Sequence, residues 1–335
     1  MNRLLTLLIA FIFLTASATT GGASGYTSTS VTDCAQTSAQ YDRFYSSGEL
    51  GIVIPGLAEG LVPQGISYIP EDDELLFCGY RADKGNSALV AVDRTTGEVR
   101  KSVSLRYMDG SGYNGHAGGV CVTENDIYIS NASHLYRISL AAFRALPGSG
   151  DCSFEEEIPV PVNASFCCYS EGILWVGEFQ YAGDYPTDPG HTVRSADGRQ
   201  KAWICGYSMQ GRADFESPDY VLSVTERIQG ITTLNGVIYL SQSYGRRASS
   251  SLLKYEAVLE REPDMTVQLD QREIPLWILD SSSRTSAMLC PPMTECLCTV
   301  EDTVYVLFES ASEPYMNPSN PSVNPMDRIF LMRDF

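Results

Sequence analysis

The chain has 335 residues and a formal net charge of −18. That balance repels phosphate backbones and anionic lipid, which excludes nucleic acid as a partner and disfavours a membrane-surface role. The length suits one large all-β domain or two ordinary ones.

The N-terminus reads as an export signal. Arg3 is followed by the apolar residues 4–14 and by Ala16-Ser17-Ala18, a small-residue cleavage pattern. The apolar run is too short to span a bilayer as a helix. A signal peptide is therefore expected over 1–18, a Gly/Ser/Thr-rich leader over 19–39, and a single folded domain over 40–335. The protein is expected to be secreted, extracellular and free of the membrane once the signal is removed.

From Gly48 onward the sequence is a succession of strands. GELGIVIPGL comes first, and five related units follow: PQGISYIPEDDELLFCGY from Pro63, AGGVCVTENDIYISNAS from Ala117, ASFCCYSEGILWVGEF from Ala164, IQGITTLNGVIYLSQSYG from Ile228 and TECLCTVEDTVYVLFES from Thr294. Each unit is a short strand, a turn of Gly, Asn or acidic residues, and an alternating strand that ends polar. Alignment places Gln64, Gly118, Ser165, Gln229 and Glu295 at one position, and Tyr128, Trp175, Tyr239 and Tyr305 at another. A third strand follows each unit (SALVAVD, HLYRISL, KAWICGYSM, SSLLKYEAV, RIFLMRD). A fourth follows the first four units (EVRKSVSL, EEEIPVPV, YVLSVTE, REIPLWIL). LAAFRAL at Leu140 is a one- or two-turn helix candidate.

The fifth unit ends at Phe335 without a fourth strand, and the strand at Gly48 is available to supply it. Self-similarity of this kind marks radially repeated sheets. The predicted fold is all-β: a single five-bladed β-propeller with four-stranded blades, its ring closed by the N-terminal strand. A six-bladed ring is the competing count, with the extra blade hidden in the long span between the third and fourth units. A jelly roll or sandwich would not give this phase-locked repetition. DYPTDPGHTVRSADGRQ reads instead as an insertion, being all turn formers and charge.

In a propeller the first strand of each blade lines the central channel, and the loop leaving the second strand lies on the same face. One funnel should therefore gather Gln64, His116, Ser165, Gln229 and Glu295 with Arg81, Asn131, Glu178, Tyr244 and Glu309. His116, one of three histidines, stands in the glycine-rich GYNGHAGGV two residues before its unit's aligned glycine. His116, Glu178 and Glu295 are the candidate catalytic groups, with the imidazole as base and a carboxylate orienting it. Gln64, Arg81, Asn131, Ser165, Gln229, Tyr244 and Glu309 are the candidate substrate-binding residues. A Ser-His-acid triad through Ser165 lacks a nucleophile-elbow sequence. His134 should be at the surface, and His191 belongs to the insertion, either as part of a lid or exposed to solvent. SASEPYMNPSNPSVNP, after Glu309, is a second long loop over the same face. Asn131-Ala132-Ser133 and Asn163-Ala164-Ser165 match the glycosylation sequon.

Ten cysteines in an oxidising compartment raise the expectation of some disulfides. Cys121, Cys168 and Cys298, however, share one register and read as small packing residues. No cysteine or histidine spacing resembles a zinc site.

In repeat pattern the chain resembles five-bladed extracellular propellers such as the calcium-activated nucleotidases (apyrases) and the sugar lactonases. Its QGI, TECL and WVGEF phrases are similar to bacterial secreted propellers with HAGG-type turns. The apyrase resemblance implies an inner ring of Ser and Glu around Ca2+. Ser165 and Glu295 match by type, while Gln64, Gln229 and Gly118 depart from it. Three functions remain open: a hydrolase or lyase acting in the funnel on a small molecule or carbohydrate, a non-catalytic glycan or small-molecule binder, and a protein-interaction propeller.

Overall fold

The repeated strand pairs fold as antiparallel hairpins, and the hairpins build five radially arranged sheets. The computed structural model describes residues 25–32, 38–212, 214–333 and 335. The expected signal peptide and Cys34 lie outside the described residues. The protein is a five-bladed β-propeller. From the inside outward, blade 1 is Leu61–Ile69, Glu74–Arg81, Ala88–Asp93 and Val99–Arg106, with Ser149–Ser153 parallel on its outer edge; blade 2 is Gly119–Val122, Asp126–Asn131, His134–Ser139 and Glu156–Pro159. Blade 3 is Ala164–Ser170, Ile173–Glu178, Ala202–Ser208 and Tyr220–Val224, and blade 4 is Ile228–Leu234, Val237–Gln242, Ser250–Tyr255 and Arg284–Cys290. Blade 5 is Thr294–Val300, Thr303–Phe308 and Arg328–Met332, with Gly48–Val53 antiparallel on its outer side.

The repeat has a direct physical meaning. Cys121 faces Tyr128 across the first hairpin of blade 2, Cys168 faces Trp175 in blade 3, and Cys298 faces Tyr305 in blade 5. A small residue on the inner strand thus makes room for a large ring on the second. The inner strands also approach each other closely. A Cβ on Gly65 would stand 2.4 Å from the Val120 nitrogen in the next blade, so only glycine fits there.

Three expectations change. REIPLWIL is not the outer strand of blade 4: Arg272–Ile278 runs parallel to Tyr220–Val224 and extends blade 3, followed outward by Met265–Leu269. Trp277 is buried there and meets Tyr220 with ring centroids 6.1 Å apart, which explains the strong strand signal. Arg284–Cys290 takes the vacated place in blade 4, its half-exposed face giving little sequence signal. The expectation of disulfides also fails, because all the described cysteines are buried and free. Their thiols reach carbonyls of neighbouring blades instead: Cys78 Sγ is 3.2 Å from Ala117 O, and Cys296 Sγ is 3.7 Å from both Gly118 O and Gln229 O. Cys296 of blade 5 thus lies against backbone of both blade 2 and blade 4. Finally, His191 is not exposed to solvent but 6% accessible. LAAFRAL does form a short helix, Leu140–Ala145, with Ser139 Oγ accepting from Ala142 N.

Candidate functional site

Four of the residues that line the funnel arrive there through β-bulges. In four blades the inner strand slips register at the aligned polar position: Gln64 lies between the paired Pro63 and Gly65, Ser165 between Ala164 and Phe166, and Gln229 between Ile228 and Gly230. In blade 5 the break spans Glu295 and Cys296. A bulge releases one residue from the in-out alternation and re-aims its side chain. Blade 2 has glycine instead, because a Cβ on Gly118 would stand 2.1 Å from Ser165 O. The funnel above these bulges is a cavity of about 550 Å³, within the usual range for small-molecule sites.

Two carboxyl groups form its floor. Glu295 is 2% accessible, and Glu309, following the second strand of blade 5, is half-buried beside it. Their carboxyls hydrogen-bond to each other. Gln229 Nε2 donates to Glu295 Oε1 at 3.2 Å, and Gln64 Nε2 donates to Glu309 Oε2 at 2.9 Å. Burial and the neighbouring Glu309 charge push Glu295 well above the usual carboxyl range. Burial pushes Glu309 up to about 7, against the opposing pull of hydrogen bonds from Gln64 and Tyr315. Like charges this close do not both ionise, so the pair holds a shared proton near neutral pH.

The walls are aromatic. On one side the His116 ring stacks on Tyr80 with centroids 4.7 Å apart, and the Tyr80 and Tyr315 hydroxyls are 3.0 Å apart. Arg246 lies over the Tyr315 ring at 4.7 Å. It donates to Asn320 O at 2.9 Å, which ties it to the loop after Glu309. On the other side Phe179 meets Tyr185 edge-on at 5.1 Å and Tyr244 at 6.0 Å. Tyr185 and Tyr244 remain 48% and 36% accessible, leaving their faces to a ligand. The His116 backbone N–H donates to Asn131 Oδ1 at 3.0 Å, and desolvation lowers the imidazole pKa, favouring its neutral form.

The cavity thus gathers Gln64, His116, Asn131, Ser165, Gln229, Tyr244, Glu295 and Glu309. Glu178 and Arg81 are not among its lining residues. Glu178 is 1% accessible and receives three donors: His191 Nδ1 at 2.9 Å, Trp203 N at 2.9 Å and Asn163 N at 3.2 Å. The His191 ring stacks on Trp203 at 4.0 Å, so Glu178 clamps the insertion to blade 3. Arg81 pairs with Asp83 at 2.6 Å and with the Tyr26 hydroxyl at 3.1 Å. His116 therefore has no orienting carboxylate from Glu178, and Ser165 Oγ donates to Asn163 O rather than to an imidazole. Phe179, Tyr185 and Tyr315 were not singled out in the sequence. Tyr185 and Tyr315 sit in the two long loops expected over this face, but no repeat position marks them.

The calcium ion implied by the apyrase resemblance does not fit this floor. Ca2+ takes six to eight oxygen ligands, whereas here the two carboxyls bond each other and receive amide donors. Among the described residues no group of three or more His, Cys, Asp or Glu side chains has the arrangement of a metal site.

No family model and no curated protein matches the chain. Among solved structures, glutaminyl cyclase from Myxococcus xanthus is similar at 12% identity and a TM-score of 0.43, over 82% of this chain and 91% of that one. A putative oxidoreductase (glucose dehydrogenase) from Thermus thermophilus gives 10% identity and a TM-score of 0.42, over 85% and 98%. BamB from Moraxella catarrhalis gives 9% identity and a TM-score of 0.34, over 81% and 85%. The likeness is one of architecture.

Proposed function

We propose that the protein is a secreted propeller enzyme that carries out acid–base chemistry, hydrolytic or eliminative, on a small polar molecule or carbohydrate in the funnel. The observation that carries this reading is the Glu295–Glu309 pair, hydrogen-bonded at the floor of an aromatic-walled cavity. A general base works best with a pKa near the working pH, and Glu309 at about 7 meets that condition. Glu309 accepts the substrate proton with Glu295 beside it, and Gln64 and Gln229 fix the two carboxyls. Carboxyls in hydrogen-bond contact are closer than the roughly 5–9 Å that glycosidase pairs require, so paired-carboxylate glycoside cleavage is not the reaction. Export is supported by the apolar segment 4–14 behind Arg3.

A second reading, binding without chemistry, draws on the accessible faces of Tyr185 and Tyr244. One experiment separates the two. A thermal-shift screen of sugars, lactones, nucleotides and divalent metals finds ligands that stabilise the native state, and turnover is then measured on each hit. The enzyme reading expects turnover of a hit to fall by about 10²–10⁴-fold in Glu309→Gln. Stabilisation without turnover supports the binder, and ligand effects untouched by Glu309→Gln refute the funnel site.

A further inference from the structure

The funnel floor is rich in acceptors and poor in cations. Gln64 and Gln229 each donate an amide N–H to a carboxyl, and among the described residues neither amide oxygen accepts a hydrogen bond. Among the described residues no Lys or Arg forms an ion pair with Glu295 or Glu309. Arg246 lines the cavity and its charge opposes the rise in the Glu309 pKa, but its own contacts are with the Tyr315 ring and Asn320 O. His116 is disposed to be neutral. The chain's net charge of −18 adds a field that draws cations towards such a cleft. The walls suit a cation too, since aromatic faces attract positive charge, and Arg246 over Tyr315 already makes that contact at 4.7 Å.

We infer that the funnel binds a ligand bearing a primary ammonium group, its three N–H donors shared between the Glu295 and Glu309 carboxyls and a glutamine amide oxygen, and its organic part lying against the aromatic walls. This inference rests on the acid–base reading of the same floor. A metal ion would use the oxygens but leave the rings idle, whereas an organic ammonium ion uses both. Docking of the ammonium replaces the proton shared by the two carboxyls: both become carboxylates, the ligand keeps its own three protons, and one proton passes to solvent.

The test is calorimetric titration of the full chain at pH 6.5 with benzylamine, benzyl alcohol and calcium chloride, in two buffers of different ionisation enthalpy. Benzylamine is expected to bind at least ten times more tightly than its neutral isostere, with a buffer-dependent heat that reports proton release. Glu309→Gln and Glu295→Gln, each checked for an unchanged circular dichroism spectrum, should each weaken benzylamine binding at least tenfold. Equal binding of benzyl alcohol, or amine binding undiminished in both variants, overturns the inference. So does calcium displacing benzylamine, which would make the floor a metal site. If neutral ligands bind as well as amines, yet depend on Glu309, the ammonium inference fails and the acid–base site stands. If nothing that binds depends on Glu309, both fail.

Discussion

Glu309 shows how a single position can carry chemistry that its residue type does not announce. Burial beside Glu295 raises its pKa above the ordinary carboxyl value, and that has a consequence for stability. A group protonated more readily in the folded state favours folding below its unfolded pKa, near 4.5, and that contribution is lost as pH rises towards about 7. The slope is about 1.4 kcal/mol per pH unit for one proton. The melting temperature is therefore expected to fall between pH 5 and 7, and the slope to flatten in Glu309→Gln. Melts across that range check this, and parallel slopes in both proteins would contradict it. Part of the floor was legible in the sequence, because Gln64, Gln229 and Glu295 occupy one repeat position. The pairing of Gln64 and Glu295 with Glu309 was not, since alignment places residues on a face but gives no distances. Tyr315 was illegible for another reason: a residue in an irregular loop has no counterpart in the other units.

Elements position what residues supply. The four bulges explain why polar side chains occur on inner strands whose neighbours are buried. The sequence showed the polar residue in four of the five units but not the register slip that aims it. The insertion over residues 184–200 shows a comparable gap. Its composition marked it as turn formers and charge between strands of one blade, yet it forms the short hairpin Val193–Ser195 and Gly198–Gln200, and it buries His191, Val193 and Gln200 as anchors. His191→Ala is expected to leave buried Glu178 short of a donor and to cost about 1–3 kcal/mol. Tyr185, carried by the same insertion, then loses its fixed position against Phe179. Ligand affinity should fall while the pH dependence set by Glu309 stays unchanged. Melts, ligand titration and proteolysis of the insertion check this, and wild-type affinity in the variant would show that the clamp does not shape the wall. The misassigned strand Arg272–Ile278 has a related cause. Local propensity identifies a strand but does not say which sheet receives it, and the outer edges of blades 3 and 4 lie close together in sequence.

At the scale of the whole molecule, the phase-locked repeat was enough to read a five-bladed ring, because one supersecondary unit recurs five times around an axis. Blade 5 draws its strands from both ends of the domain, with Gly48–Val53 lying on Arg328–Met332. The helix before that strand, Asp42–Ser46, adds to the junction: Phe44 is fully buried and stacks on Phe330 at 4.0 Å. Phe44→Ala is expected to cost about 3–5 kcal/mol. A denaturant melt measures it, and a loss below about 1 kcal/mol would mean this junction contributes little to holding the fold. In the proposed reading, function turns on the state of the two floor glutamates. The most direct test is 13C NMR of the glutamate side-chain carboxyls through a pH titration, with the two signals assigned by Glu295→Gln and Glu309→Gln. A coupled pair that retains one proton up to a midpoint near 7 is the expected result. Two carboxyls that both ionise near the ordinary glutamate value would contradict it.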